Sequence, residues 1–230
     1  MPRINVVFDF DGSLATNFVG GMMFRGHASE AKVNIAKERF DSEQTSLRVY
    51  QEEVFDLVTE SPAEMSKRAA ERASIRSLAN EVCDVIWDSG GEVMVASAGL
   101  DFYIRPVIDN AGLERIIVHS GEVISDPSEP PPFRYDYPSA VESCEGDWVT
   151  CKCKVINELK NNDTDDEVIF VGDGTNADEC AARNAADTVF ATGRLLNYCN
   201  KNGIPALEFG DDFKSLLSYV IEKTSANGAQ

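Results

Sequence analysis

The sequence contains no apolar run near the roughly 20 residues that a membrane-spanning helix needs, so a membrane is not an expected partner. It is short of positive charge: 21 lysines and arginines stand against 39 acids, a formal net charge of −18. A chain this acidic repels polyphosphate backbones, and nucleic acid is not expected to bind. An anionic small molecule would need a local pocket of cations set against the overall field. Histidine is scarce as well; His27 and His119 carry no partner signature and read as structural. The N-terminus, MPRINVVFDFDG, has a short apolar run that ends in acids rather than the longer one of a signal peptide. The expected location is the cytoplasm.

The six cysteines, in a chain read as not exported, are expected to be reduced thiols rather than a disulfide framework. Cys144, Cys151 and Cys153 cluster in sequence, but C-x6-C-x-C lacks the paired C-x2-C spacing of zinc sites and has no nearby fourth ligand. Cys83 and Cys180 sit in helical patterns and read as core. Asn162-Asp163-Thr164 matches the glycosylation acceptor pattern and reads as a polar turn.

What is present is the composition of an ordinary globular protein, 43% hydrophobic and 26% charged. At 230 residues it can bury one large core, with or without an insertion. INVVF (4–8) is continuously apolar, as expected of a strand buried on both faces. EVMVAS (92–97), RIIVHS (115–120), EVIFVGD (167–173) and DTVFAT (187–192) repeat the type, with helical patterns at 101–111, 155–160 and 178–185 between them. This alternation predicts an α/β fold with a mostly parallel sheet covered by helices on both faces.

One interval breaks the rhythm. From about Ala28 to Ser89 the pattern is helical only, with Leu47, Tyr50, Val54 and Leu57 at helical spacing and a helix start at Ser61-Pro62 with Glu64. Roughly 60 residues are too many for an ordinary crossover. The expected organisation is a catalytic core of residues 1–13 and 91–230 with a helical cap, 14–90, inserted after the first strand. A small antiparallel hairpin is expected around 120–137, flanking Pro127 and the prolines 130–132.

Ligands of parallel α/β sheets bind at the carboxyl ends of the strands. The first strand delivers Asp9 and Asp11, the next Ser97 followed by Ala98 and Gly99, and a later one Asp173; Lys152 and Lys154 open the helix before it. Two like charges two residues apart are unfavourable unless a cation or a shared proton offsets them. Phosphoryl transfer supplies the reason. Asp9 and Asp173 can hold Mg2+, Asp9 can attack phosphorus, and Asp11 can move the leaving-group proton. Ser97 and the amides after it, read as a helix N-terminus, make a phosphate seat, and the lysine holds moving charge.

DFDGS, the SAG that begins at Ser97, Lys152 and GDGTNAD resemble, in order, the four motifs of the haloacid dehalogenase-like phosphohydrolases. The resemblance implies a Rossmann-like three-layer core with a helical cap and an aspartyl-phosphate intermediate on Asp9, with Asp11 as general acid/base. It implies Mg2+ held by Asp9, the carbonyl of Phe10, Asp11, Asp173 and Asp178, and phosphate held by Ser97, Ala98, Gly99 and Lys152. Lys154 is the alternative to Lys152. SAGLDFYIRPVI, CKCKVINEL, ECAARNAAD and GRLLNYC resemble the methionine-salvage phosphatase branch of the phosphoserine phosphatase-like group, which acts on a hydroxy-keto-methylthiopentenyl 1-phosphate. Phe18 stands near where phosphoserine phosphatases carry a cap glutamate for the substrate's amino group, a departure that argues against phosphoserine. Ser13 replaces the more usual threonine and keeps the hydroxyl. Arg25, Arg48 and Arg105 are candidates for substrate contact. The implied partner is a small phosphorylated metabolite; a homodimer is left open. A phosphotransferase or phosphomutase using the same intermediate, and a phosphoaspartate signalling module, are the alternatives.

Overall fold

Ile4–Phe8, five consecutive buried residues, form β1, a middle strand of a seven-stranded sheet. The computed structural model describes residues 3–142, 144–160 and 166–228, so the Asn162-Asp163-Thr164 turn lies outside the described residues. After β1 come the helices α1 (Val19–Phe24), α2 (Glu30–Asp41), α3 (Leu47–Phe55), α4 (Pro62–Arg72) and α5 (Ala79–Asp88). The chain continues through β2 (Val93–Leu100), α6 (Asp101–Asn110), β3 (Ile117–Val123), β4 (Tyr135–Asp136), α7 (Lys152–Lys160) and β5 (Glu167–Gly172). It ends with α8 (Ala177–Asn184), β6 (Thr188–Ala191), α9 (Gly193–Asn202), β7 (Leu207–Glu208) and α10 (Lys214–Gly228).

The strand order is β4-β3-β2-β1-β5-β6-β7. Every neighbouring pair is parallel except β3 with β4, where Glu122 faces Asp136 and Val123 faces Tyr135. This is a Rossmann-like α/β sheet. Side chains alternate along β1: Val6 and Phe8 enter one core with Phe213, Leu216 and Val220 of the C-terminal segment, while Val7 enters the other with Val155, Ile156 and Leu195. Burial of each such side chain stabilises by roughly 1.5–3 kcal/mol, which fixes the end of β1 as a rigid platform. The strands that follow β1 in the sheet leave it in opposite directions, β2 on one side and β5 on the other. Such a switch point opens a crevice at the carboxyl ends of the strands, and Asp9 stands there.

α4 begins with a capping box: the Ser61 amide donates to Glu64 at 2.8 Å and the Glu64 amide donates back to Ser61 Oγ at 3.3 Å, with Pro62 at the first turn. α4 packs on α6 and α1, whereas α5 packs on α10, β1 and β2. The helix expected directly after Ser97 begins later. β2 runs on to Leu100, which pairs with Gly121 after a register shift, and α6 starts at Asp101. Among the described residues no helix is long and apolar enough to cross a membrane.

Candidate active site

Asp9 follows β1 directly, and its amide extends the ladder by donating to the Val171 carbonyl at 2.8 Å. Its carboxylate accepts a hydrogen bond from Lys152 Nζ at 2.5 Å, and the same ammonium donates to Asp178 Oδ1. Asp178 is held in turn by the Gly174 amide, which donates to Oδ2 at 2.8 Å. Asp173 Oδ1 accepts from Ser13 Oγ at 3.0 Å. Carboxylate oxygens of Asp9, Asp173 and Asp178 lie within 4.8 Å of one another, the one such metal-competent group among the described residues. Lys154 points elsewhere, donating to the Pro138 carbonyl at 3.2 Å on the surface. Lys152 is therefore the lysine of the cluster.

The loop after β1 explains the local sequence. Gly12 has φ +82°, and a Cβ there would stand 2.5 Å from Asp173 Oδ2, so both backbone shape and close approach demand glycine. Arg76, buried between α4 and α5, locks this loop by donating to the carbonyls of Ser13 at 2.8 Å and Gly12 at 2.6 Å. Its third bond goes to the Gly210 carbonyl at 2.6 Å, with the Phe209 ring 5.0 Å below. Asp11 turns the other way. Its Oδ1 accepts from the amides of Val19 at 2.5 Å and Gly20 at 3.4 Å, at the start of α1.

Two expected metal ligands have other partners here. The Phe10 carbonyl accepts amide hydrogens from Ser13 at 3.3 Å and Ala15 at 2.9 Å, which takes up its lone pairs inside the loop. The Asp11 carboxylate is drawn to the amides of α1 and stands outside the Asp9–Asp173–Asp178 group. The phosphate seat differs too. Buried Ser97 accepts the Gly99 amide on its own Oγ at 3.0 Å, and with α6 starting at Asp101 no helix N-terminus lies directly behind it. Ala98 offers its carbonyl to Gln51 of α3, whose Nε2 donates at 2.9 Å.

Electrostatically the site is overloaded with acid. Burial pushes Asp9 up to about 8, against the pull of Lys152 and with the help of Asp178. Burial likewise raises Asp11 to about 7, although the Val19 and Gly20 amides pull it down. Asp173 is raised by burial and then by Asp178. For Lys152, burial opposes the charge, but Asp178 and Asp9 outweigh it and raise the ammonium's pKa. An all-oxygen donor set with surplus negative charge suits a hard divalent cation.

Above these groups lies a cavity of about 830 Å3, floored by Asp9, Asp11, Ser97, Lys152 and Asp173 and walled by Phe18, Phe24, Tyr50 and Phe55. Arg25 lines it and lies over the Phe18 ring at 5.3 Å. Arg48 is paired with Asp147 and Arg105 donates to the Ile116 carbonyl; neither lines the cavity. The cysteine cluster is not part of the floor: Cys153 Sγ lies 3.2 Å from Cys180 Sγ, and the described cysteines are free thiols. Sequence reasoning missed Arg76 and Gln51. The signal for Arg76 is a lone arginine just before the apolar pattern of α5, which gains meaning only when its distant partners are known.

No family model matches the sequence. Over 227 residues the chain is 26% identical to the 2-hydroxy-3-keto-5-methylthiopentenyl-1-phosphate phosphatase of Bacillus cereus, covering 95% of this chain and 98% of that one. It is 27% identical over 226 residues to the bifunctional enzyme MtnB/MtnX of Bacillus licheniformis, covering 96% of this chain but 51% of that protein. The chain thus spans about half the length of the bifunctional relative. Among solved structures, a phospho-aspartyl intermediate analogue of phosphoserine phosphatase aligns with TM-score 0.68 at 17% identity, covering 95% of this chain and 99% of that one. A hydrolase of the HAD family from Salmonella enterica aligns with TM-score 0.71 at 14% identity, covering 96% and 72%. The chain is thus similar along nearly its whole length to 2-hydroxy-3-keto-5-methylthiopentenyl-1-phosphate phosphatases, and it shares the fold of phosphoserine phosphatase.

Proposed function

We propose that this protein is a Mg2+-dependent phosphatase that hydrolyses a small phosphomonoester through an aspartyl phosphate on Asp9. The observation that carries the reading is the convergence of Asp9, Asp173 and Asp178 around Lys152 on the floor of a cavity. Asp9 and Asp173, with Asp178 beside them, would hold the cation. Bound there, Mg2+ would supply positive charge that offsets the carboxylates and the phosphoryl oxygens.

The chain's own groups carry the steps. An Asp9 carboxylate oxygen forms the new bond to phosphorus while the ester P–O bond breaks, and Asp11 delivers a proton to the departing oxygen. Asp11 then takes a proton from the water that attacks the phosphoaspartate, and inorganic phosphate leaves. Its pKa near 7 suits both directions. Lys152 balances charge on the phosphoryl group, and Ser97 with Ala98 and Gly99 flanks it on the strand side. In this reading α1–α4 form the cap; the boundary moves in from residue 90 because α5 packs on the sheet.

The relatives' substrate, a hydroxy-keto-methylthiopentenyl phosphate, suits a cavity with an aromatic wall. Phe18, half exposed at its edge, offers no carboxylate to pair with a substrate's ammonium group. The reaction is assigned to the cytoplasm. Phosphate release from a panel of phosphorylated metabolites, with and without Mg2+, tests the reading. Release should require Mg2+ and vanish in Asp9→Asn; wild-type-like turnover in that variant would refute it.

A further inference from the structure

Tyr103 is not in any of the four motifs, yet it lines the cavity. Its residue is almost wholly buried on α6, 1% exposed. The ring is fixed on three sides: stacked on Phe55 at 6.0 Å, edge-on to Phe102 at 5.3 Å and tilted against Phe10 at 6.5 Å. Such packing leaves the phenol one orientation.

The hydroxyl lies where two parts of the site meet. A Cβ at Gly99 would stand 2.2 Å from Tyr103 Oη, and one at Gly20 would stand 2.8 Å from it. The Gly20 Cβ would also lie 3.4 Å from Asp11 Oδ2. The oxygen therefore rests against the Ser97–Gly99 segment on one side and beside the Asp11 carboxyl on the other. Neither glycine could carry a side chain with the hydroxyl in place. Asp11 Oδ1 is occupied by the amides of Val19 and Gly20, so Oδ2 is the atom left to handle the proton, and it is the one on the phenol's side. The Gly99 amide, meanwhile, is already bonded to Ser97 Oγ, so it is not a ready donor to a bound phosphoester. The buried phenol, raised well above its ordinary pKa first by burial and then by the Asp11 charge, keeps its proton.

We infer that Tyr103 is a further catalytic residue: its hydroxyl donates a hydrogen bond to the ester oxygen that Asp11 protonates. The inference rests on the phosphatase reading. In the step, the Asp9–phosphorus bond forms, the ester P–O bond breaks, and the proton on Asp11 moves to the leaving oxygen. The phenol keeps its own proton throughout and stabilises charge on that oxygen before the proton arrives. Its value depends on the leaving group, because a poor leaving group develops charge that must be met and a good one does not.

The test is Tyr103→Phe, which removes one oxygen and leaves the aromatic packing. kcat/KM is measured with Mg2+ on 2-glycerophosphate, a poor leaving group, and p-nitrophenyl phosphate, a good one. The expected loss is about 10- to 100-fold for the first and less than about threefold for the second. Equal losses on the two esters, or less than about twofold on both, overturn the role of Tyr103 while leaving the phosphatase reading intact. Wild-type protein that releases phosphate from neither ester overturns that reading, and this inference with it.

Discussion

Replacing Arg76 by methionine should damage the proposed metal site without touching it. The guanidinium donates three hydrogen bonds to carbonyls, at 2.8, 2.6 and 2.6 Å, and stacks on Phe209. Methionine fills the space but leaves the Ser13, Gly12 and Gly210 carbonyls without this donor. A hydrogen bond to a charged group contributes about 1.5–3 kcal/mol, and an aromatic-stacked cation about 0.5–2 kcal/mol. These values do not add, and part is regained from water and from methionine packing, so a net cost of about 3–5 kcal/mol in urea unfolding is expected. The second effect is local. Ser13 Oγ donates to Asp173, and Gly12 lies against the same carboxylate. A loosened loop should therefore raise the Mg2+ concentration for half-maximal activity by about 10- to 100-fold, the usual cost of losing a group that orients a metal ligand. Arg76→Lys, with one point donor in place of a fork, should recover little. The assay is phosphate release against Mg2+ at a temperature where the variant is fully folded. A variant that loses stability but keeps wild-type Mg2+ dependence would refute the coupling of this arginine to the site.

Two other outcomes follow from the same geometry. Lys152→Met should lower kcat by about 100-fold or more, the scale of removing a preorganised charge from a reacting centre. Lys154→Met, on the surface, should stay within about twofold; similar losses in both variants would refute the assignment of Lys152. Asp11 folds with its pKa raised to about 7, from an ordinary value of 3.8, so the folded state holds more protons than the unfolded one between those values. The stability of metal-free wild type should therefore fall, relative to Asp11→Asn, as pH rises from 5 to 7.5. A rise over that range in paired urea titrations would contradict the burial argument.

How much of this was legible in sequence depends on how local each cause is. β1 was readable because INVVF is apolar at every position, and a strand buried on both faces needs no partner to declare itself. Asp9, Asp173 and Lys152 followed, since each stands one residue beyond, or at the first position of, an element with a clear pattern. Ser97 was placed at a strand end in front of a helix because S-A-G reads as a helix start. The sheet overrode that local preference, since Leu100 still finds Gly121 across the ladder. The partners of the Phe10 carbonyl, Ser13 and Ala15, were not legible because they depend on the tight turn at Gly12. Gln51 and Arg76 were invisible for a plainer reason: their partners are far away in sequence. Gln51 meets Ala98 across 47 residues and Arg76 meets Gly210 across 134.

That last contact has a consequence for the order in which the protein comes to life. Asp9 and Asp11 are made well before Gly210, which anchors the arginine that shapes their loop, and Phe213 donates its amide back to the Ser77 carbonyl at 3.0 Å. A nascent chain that stops short of these residues has every motif and lacks the brace. Closing so long a loop is slow relative to local structure. The loop that carries Asp9 and Asp11 therefore gains its brace only after the chain has been made past Phe213.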